Sequence, residues 1–497
     1  MTQVIKNYVN NQFVETQEGK TAQAFNPATG KALATVPLSG NADVDAAVKA
    51  AQSAFPQWSK TTREQRIDIL MTIAQLIEAN MEELAKLEAV NMGKSLPVAR
   101  ADMRRQLRNF REFAHNLYSL RETKTDYEGT LNYTQRFPVG VVAIIGSWSR
   151  PLHQILWRLV PALAMGNTVV AKPPRPTPCT TFLFTQILAQ SGVLPPGVFN
   201  VVYGAGEEVG HALAGHSGVN AIGMVGGDNA AAEIIKAAAS GIKKMAFDLG
   251  NSHAMCVFED ADLTKLVPEA VRAAFLYDNG QRAHCPNRIF VHQSIAKEFT
   301  DKFVEATKKL KLGDPAESDA EIGPIVSKQQ LDIMINSLKV AQEEGAVVLC
   351  GGQQPQMTGN LAGGYWFTPT VLGGLSATSK VNKERSFKTA SPGEIQGPIV
   401  RIVTFTSESE VIEAANNGSG LSASVWTKDL SRAHRVAGEL RTGYVWVNSW
   451  LIRDLRMPFG GVGIHGLGKS GTFHSLDFYS EIKTVCINIS GGNTTLG

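Results

Sequence analysis

The stretch Asn279-Gly280-Gln281-Arg282-Ala283-His284-Cys285-Pro286-Asn287-Arg288 combines side chains that could do chemistry with a turn that could present them. It follows a helix-like run from Leu263 to Tyr277 and leads into the apolar Ile289-Phe290-Val291. The Gly-Gln pair therefore reads as a tight turn between a helix and a buried strand, a place to expose one reactive side chain. His284 and Cys285 are the candidate acid, base or nucleophile. Against both stands the ordinary alternative of a packed thiol and a structural imidazole.

Composition limits what such a turn could serve. A chain of 497 residues, 43% apolar and 19% charged, is long enough for two or more domains and is typical of a soluble globular protein. Its 48 Lys+Arg and 45 Asp+Glu leave a net charge of +3 with no basic run, which excludes a polyanion such as nucleic acid as the expected partner and points to a small substrate. Cys179, Cys256, Cys285, Cys350 and Cys486 are widely spaced, without Cys-x-x-Cys or paired Cys/His spacing, so no metal site is expected and a reduced, cytoplasmic setting is. The first residues lack the apolar core of a signal peptide, and no window of about 18 apolar residues predicts a membrane span.

The elements that must position the turn follow from periodicity. Tyr8–Val14 predicts a hairpin about Asn10-Asn11, since Asn tolerates positive φ. Ala42–Phe55, Arg63–Ala79 and Ala99–Leu120 carry apolar residues at three- and four-residue spacing and predict helices. Short apolar runs then alternate with amphipathic ones: Val141–Ile145, Thr168–Ala171, Phe199–Val202, Ala221–Val225 and Met245–Leu249 predict the strands of a mostly parallel sheet. Ile289–Val291, Val347–Leu349, Ile399–Phe405, Ser422–Trp426 and Gly443–Val447 predict a second such α/β domain. The tail from Ser490 has too little apolar content to order itself.

The turn resembles the nucleophile turn of the aldehyde dehydrogenase superfamily, Gly-Gln/Glu-x-Cys-x-x-x-x-Arg, with Ala283 where that family has its Cys. Pro138-Val139-Gly140-Val141, the run from Pro161 to Pro173, Gly397-Pro398 and Pro458-Phe459-Gly460-Gly461 are similar to further landmarks, in order, from about Tyr8 to Ile489. Within the superfamily, Asn109-Phe110-Arg111, Gly364-Tyr365-Trp366 and the run Trp446-Val447-Asn448-Ser449-Trp450-Leu451-Ile452-Arg453-Asp454 look like the 2-aminomuconate and 2-hydroxymuconate semialdehyde dehydrogenases. The resemblance implies two doubly wound α/β domains plus a small β oligomerisation arm. It places residues 1–122 and 139–252 in a dinucleotide-binding-type domain, 253–447 in a catalytic-type domain, and 123–138 with 470–492 in the arm, giving a homodimer or homotetramer.

It also implies roles. Arg105 and Arg453 match arginines expected to hold the distal carboxylate and the oxo or hydroxy group of the substrate, a task for which a guanidinium fork is suited. Asp248, in Asp248-Leu249-Gly250-Asn251, stands for the general-base Glu of Glu-Leu-Gly-Gly, shorter in reach by about an ångström and a half. Ser149, in Ser147-Trp148-Ser149, stands for the oxyanion-hole Asn of Pro-Trp-Asn. With Ala283 unable to attack an aldehyde, all three chemical positions are altered.

The family's dinucleotide is NAD or NADP. Lys172 is kept where the family bonds the adenosine ribose, while Arg175 replaces a ribose-binding Glu, which would either favour the 2′-phosphate of NADP or leave an exposed cation where no dinucleotide binds. Gly226-Gly227 stand in the turn under the pyrophosphate, followed by Asp228, whose charge opposes it. Glu394 matches the Glu of the nicotinamide ribose, and Gln396 replaces the Phe beside the nicotinamide. Three functions follow as alternatives: a non-redox enzyme on a muconate-type or other carboxylated small molecule, an NAD(P)-dependent semialdehyde dehydrogenase using Cys285, or a non-catalytic homologue that co-assembles with a catalytic paralogue.

Overall fold

The structure is a computed structural model that describes residues 2–489 apart from 128, 251, 318 and 383–394. Glu394, the segment 385–393 and the tail from Ser490 lie outside the described residues. Two large sheets carry the architecture. The first has eight strands; its parallel centre runs Lys244–Leu249, Ala221–Gly226, Val141–Ile145, Thr168–Lys172 and Phe199–Val201 in spatial order. Its edges are antiparallel: Gly466–Leu467 at one side and the hairpin of Asn7–Val9 and Gln12–Val14 at the other. Asn10 and Asn11 take φ of 52° and 59°, the left-handed pair that a two-residue hairpin turn demands.

The second sheet has seven strands, with Thr370–Gly373, Ile399–Phe405, Pro286–His292, His253–Val257, Ala423–Trp426 and Val445–Val447 parallel, and Val347–Cys350 antiparallel at one edge. The α/β architecture of two doubly wound sheets is therefore the one expected. Val141–Ile145 and His253–Val257 are buried at every residue, as strands covered by helices on both faces must be. A smaller antiparallel sheet joins Lys124–Tyr127, Thr130–Pro138 and Ser480–Asn488, the last two paired over nine residues.

The helices follow their apolar faces. Arg63–Ala79 begins at Thr62, whose hydroxyl accepts from the Gln65 amide while the Gln65 side chain accepts from the Thr62 amide, a reciprocal cap. The helix expected at Ala99–Leu120 runs over Leu96–His115, because Pro97 suits its first turn. The expected run Leu263–Tyr277 is helical to Val271 and continues as a π-helical turn to Leu276. The strands His253–Val257 and Thr370–Gly373 were not marked by periodicity, since short runs buried on every side carry no alternation to read; the helix Met81–Met92, with Glu82, Glu83 and Lys86 exposed, was not marked either.

Candidate active site

A cavity of about 290 Å³ opens where the carboxyl ends of three strands of the first sheet face the amino ends of two strands of the second. The first sheet contributes Ser147, Trp148 and Ser149 after Val141–Ile145, Gly226 and Gly227 at the end of Ala221–Gly226, and Asp248 from Lys244–Leu249. The carboxyl side of such a sheet is where α/β folds place ligands. The second sheet contributes Arg282, Ala283 and His284 ahead of Pro286–His292 and Leu421 ahead of Ala423–Trp426.

The Gly280-Gln281 turn is built to hold this loop. Gly280 has φ of 69°, and a Cβ there would stand 2.7 Å from the Gly397 carbonyl oxygen and 2.8 Å from that of Ala274, so only glycine fits. Gln281 is fully buried; its Oε1 accepts from the Val326 amide at 2.9 Å. The turn thus presents Ala283 and His284 to the cavity as a reactive position would be presented.

Cys285 is not presented. It does not line the cavity, its Sγ lies 3.6 Å from the Tyr277 carbonyl oxygen, and burial pushes its pKa up to about 12. A thiolate is the nucleophilic form, so the candidacy of Cys285 as a replacement nucleophile fails on both position and ionisation. His284 does line the cavity, stacked on Phe459 at 5.2 Å between ring centroids, with Nδ1 buried and unpartnered. Burial, then the nearby Arg282 and Arg453, hold its pKa well below the usual imidazole range, so it is neutral.

Asp248 and Ser149 both reach the cavity, and both are engaged. Arg158 donates Nη2 to Asp248 Oδ2 at 2.8 Å, and Ser470 donates to the same oxygen at 3.4 Å. Gln154 donates Nε2 to Ser149 Oγ at 3.2 Å while its Oε1 accepts from the Ser147 amide at 2.7 Å.

Arginine is the dominant lining chemistry. Arg105 comes from the helix Leu96–His115, Arg150 caps the helix Pro151–Ala164, Arg282 precedes Ala283, and Arg453 follows the strand Val445–Val447. The Arg453 guanidinium lies 3.6 Å from the Phe459 ring centroid and 4.6 Å from that of Trp157; its Nε and Nη2 are buried without partners. Burial, then the charge of Arg105, lowers its pKa to about 9. Burial likewise lowers Arg105, to about 10, with Arg282 and Arg150 adding repulsion. Arg150 and Arg282 were passed over in the sequence, although each adjoins a marked position, Ser149 and Ala283.

Behind them lies a buried ionic cluster. Lys94 Nζ is 3.1 Å from Glu88, 3.0 Å from Asp102 and 3.0 Å from Asp278, all four side chains having no exposure. Asp102 also binds Arg150 at 2.9 Å, and Asp278 lies 3.4 Å from Arg282. The cluster fixes two of the cavity's arginines from behind.

The residues assigned to a dinucleotide divide. Gly226 and Gly227 line the cavity; Lys172 and Arg175 do not. Lys172 is buried and donates to the Pro173 carbonyl oxygen at 3.2 Å, with its pKa lowered to about 8 by burial and then by Arg175, which is exposed. Asp228 is the first residue of the helix Asp228–Ala238, where its negative charge opposes an anion held at the helix N-terminus. As they stand these residues do not fit a pyrophosphate held at that helix end. Among the described residues, no group of three His, Cys, Asp or Glu could hold a metal ion, and no helix is long and apolar enough to cross a membrane.

Known proteins share this framework. The model of the aldehyde dehydrogenase family matches residues 13–485. The 2-aminomuconic semialdehyde dehydrogenase of Mus musculus is 40% identical over 490 residues, 97% of this chain and 98% of the relative. The 2-hydroxymuconic semialdehyde dehydrogenase of Pseudomonas sp. (strain CF600) is 39% identical over 494 residues, 98% of this chain and 99% of the relative. Among solved structures, a NAD+ complex of aldehyde dehydrogenase from Bacillus cereus superposes with a TM-score of 0.92 at 35% identity, covering 98% of this chain and 97% of that one. NAD+ is thus the dinucleotide bound in that solved neighbour, and NAD or NADP is the family's cofactor. With the order of the landmarks, both sheets and nearly the full length in common, the chain belongs to the aldehyde dehydrogenase family.

Proposed function

We propose that this protein binds a muconate-type or other carboxylated small molecule and acts on it without thiol-based oxidation. The observation that carries the reading is Arg453: a guanidinium whose Nε and Nη2 are buried without partners, in a cavity whose nucleophile position is Ala283. A buried, unpaired cation is costly unless a ligand completes it, and a carboxylate does so in two places at once. Arg105 assists. An alanine methyl forms no thiohemiacetal and leaves no acyl group for water to cleave.

The group placed to move a proton is His284. Its imidazole reaches the cavity in the neutral form; a carboxylate ligand that offsets Arg282 and Arg453 would stabilise the imidazolium formed when His284 accepts a proton from an enol hydroxyl of a muconate-type acid, before returning it to a carbon of the same molecule. That tautomerisation moves one proton and transfers no electrons between molecules. Asp248, held by Arg158, and Ser149, held by Gln154, are available as polar contacts for the ligand.

The names of the relatives support a different reading, an NAD(P)-dependent semialdehyde dehydrogenase, and for this chain it would require Cys285, whose thiol is outside the cavity. A non-catalytic homologue that co-assembles with a paralogue is the third. The three-stranded sheet, with Tyr127, Phe137, Ile482 and Ile487 exposed, supports an oligomerisation arm over 123–138 and 470–492 beside domains of 1–122 with 139–252 and of 253–447.

The test is incubation with 2-hydroxymuconate and with muconate-type semialdehydes, with and without NAD or NADP, following both reduced cofactor and the substrate's own absorbance. Substrate conversion without reduced cofactor, lost in His284→Ala, is expected. Reduced cofactor formed at an ordinary dehydrogenase rate, on the order of one to a thousand turnovers per second, would overturn it.

A further inference from the structure

The charges around the cavity do not balance. Arg158 is matched by Asp248, but five further cations, Lys94, Arg105, Arg150, Arg282 and Arg453, share only the three carboxylates Glu88, Asp102 and Asp278. Two positive charges are left over, and more when Glu88 is protonated, toward which its burial pushes it. Charge left uncompensated in a largely buried site is costly, and an anionic ligand offsets it.

The surplus is held on two separate walls. Arg453 is clamped between Trp157 and Phe459. Arg282 lies over the Tyr277 ring at 5.0 Å and reaches Asp278 only at 3.4 Å, while Arg150 is anchored by Asp102; each keeps a buried Nε with no partner. Arg150 directly follows Ser149 and Arg282 directly precedes Ala283, so the second wall is the one against which a reacting aldehyde would lie. An uncharged aldehyde can accept a hydrogen bond there but cancels neither charge.

We propose that Arg150 and Arg282 form a second carboxylate subsite at the reacting end of the cavity, so that the ligand is an α,ω-dicarboxylate bound by an arginine wall at each end. This rests on the carboxylate reading of Arg453 and goes beyond it by assigning the opposite function to the end where the family handles an aldehyde. A dianion of muconate length satisfies both walls and cancels the surplus charge.

Calorimetric titration of the full chain with muconate and with muconate monomethyl ester tests it. The diacid is expected to bind about tenfold or more tighter than the half-ester, the value of one charge-assisted contact in a dry site. Arg282→Gln should remove that preference while half-ester binding persists, and Arg282→Lys, which keeps the charge, should retain part of it. Equal affinity for diacid and half-ester in the unaltered protein overturns the second subsite but leaves the Arg453 reading standing, provided Arg453→Gln weakens both. A loss in Arg282→Gln that falls equally on diacid and half-ester also overturns it. Binding of neither ligand overturns both readings.

Discussion

Arg158 Nη2 lies 2.8 Å from Asp248 Oδ2, deep between the helix Pro151–Ala164 and the strand Lys244–Leu249. One oxygen of that carboxylate is thereby committed to Arg158 and to the Ser470 hydroxyl.

This relationship makes restoring the missing thiol insufficient. Ala283→Cys is expected to give no cofactor-dependent aldehyde oxidation near an ordinary turnover, roughly one per second or faster. Recovery should require at least Asp248→Glu and Ser149→Asn as well, since an oxyanion donor alone is worth about two to three orders of magnitude. Steady-state assay of reduced cofactor decides it; full activity in the single variant would show that Asp248 serves as base despite Arg158.

Arg453→Ala should weaken binding of a carboxylated ligand more than Arg105→Ala does. Both residues are partly exposed, but Arg453 keeps Nε and Nη2 buried without partners and Arg105 has no such nitrogen. A desolvated fork to a carboxylate is worth about 2–3 kcal/mol, or roughly a hundredfold in affinity. Ligand-induced shifts in melting temperature across a series of diacids measure this, and unchanged shifts in both variants would remove the arginines from the site.

For the dinucleotide, Asp228→Gly should raise affinity for both NAD and NADP by about tenfold, by clearing a like charge from the start of the helix Asp228–Ala238. If Arg175 meets a 2′-phosphate, NADP binds more tightly than NAD and Arg175→Glu reverses the order. Calorimetry in which neither dinucleotide binds, even to Asp228→Gly, would eliminate the clamp.

Acid should destabilise the fold earlier than carboxylate titration does. His253 is buried between Ser422 and Ser424 with its pKa lowered to about 3, and His153 and His284 are lowered well below the usual value, all three mainly by burial. The unfolded chain then binds more protons than the native one below about pH 6.5, so stability is present at neutral pH and falls as the pH drops from there toward 3. His253 alone contributes about 2 kcal/mol of loss between pH 6.5 and 5, and His153 and His284 act in the same direction. Denaturant midpoints over that range should fall, and fall less in His253→Gln.

Lys94→Met should be among the more destabilising single changes, costing about 3–5 kcal/mol, because it leaves Glu88 without its cation and Asp102 and Asp278 with one each in a dry interior. Equilibrium unfolding tests this. A neutral effect would mean that the carboxylates protonate or rearrange at little cost.

The strands were legible because burial on both faces writes continuous apolar runs: Val141–Ile145 and Ile399–Phe405 were located to the residue. The hairpin at Asn10-Asn11 and the Gly280-Gln281 turn were legible because positive φ restricts residue type. By resemblance alone the sequence also set Ala283 where the family has its nucleophile. Whether Cys285 replaces it was decided by the turn's geometry, which sends that thiol toward Tyr277 and away from the cavity. The cationic cavity too was a product of tertiary structure. Arg150 meets Asp102 across 48 residues and Arg158 meets Asp248 across 90, separations at which no local pattern couples one side chain to another. Periodicity reports which face of an element is buried; which charges meet inside is set only when the two sheets close on each other.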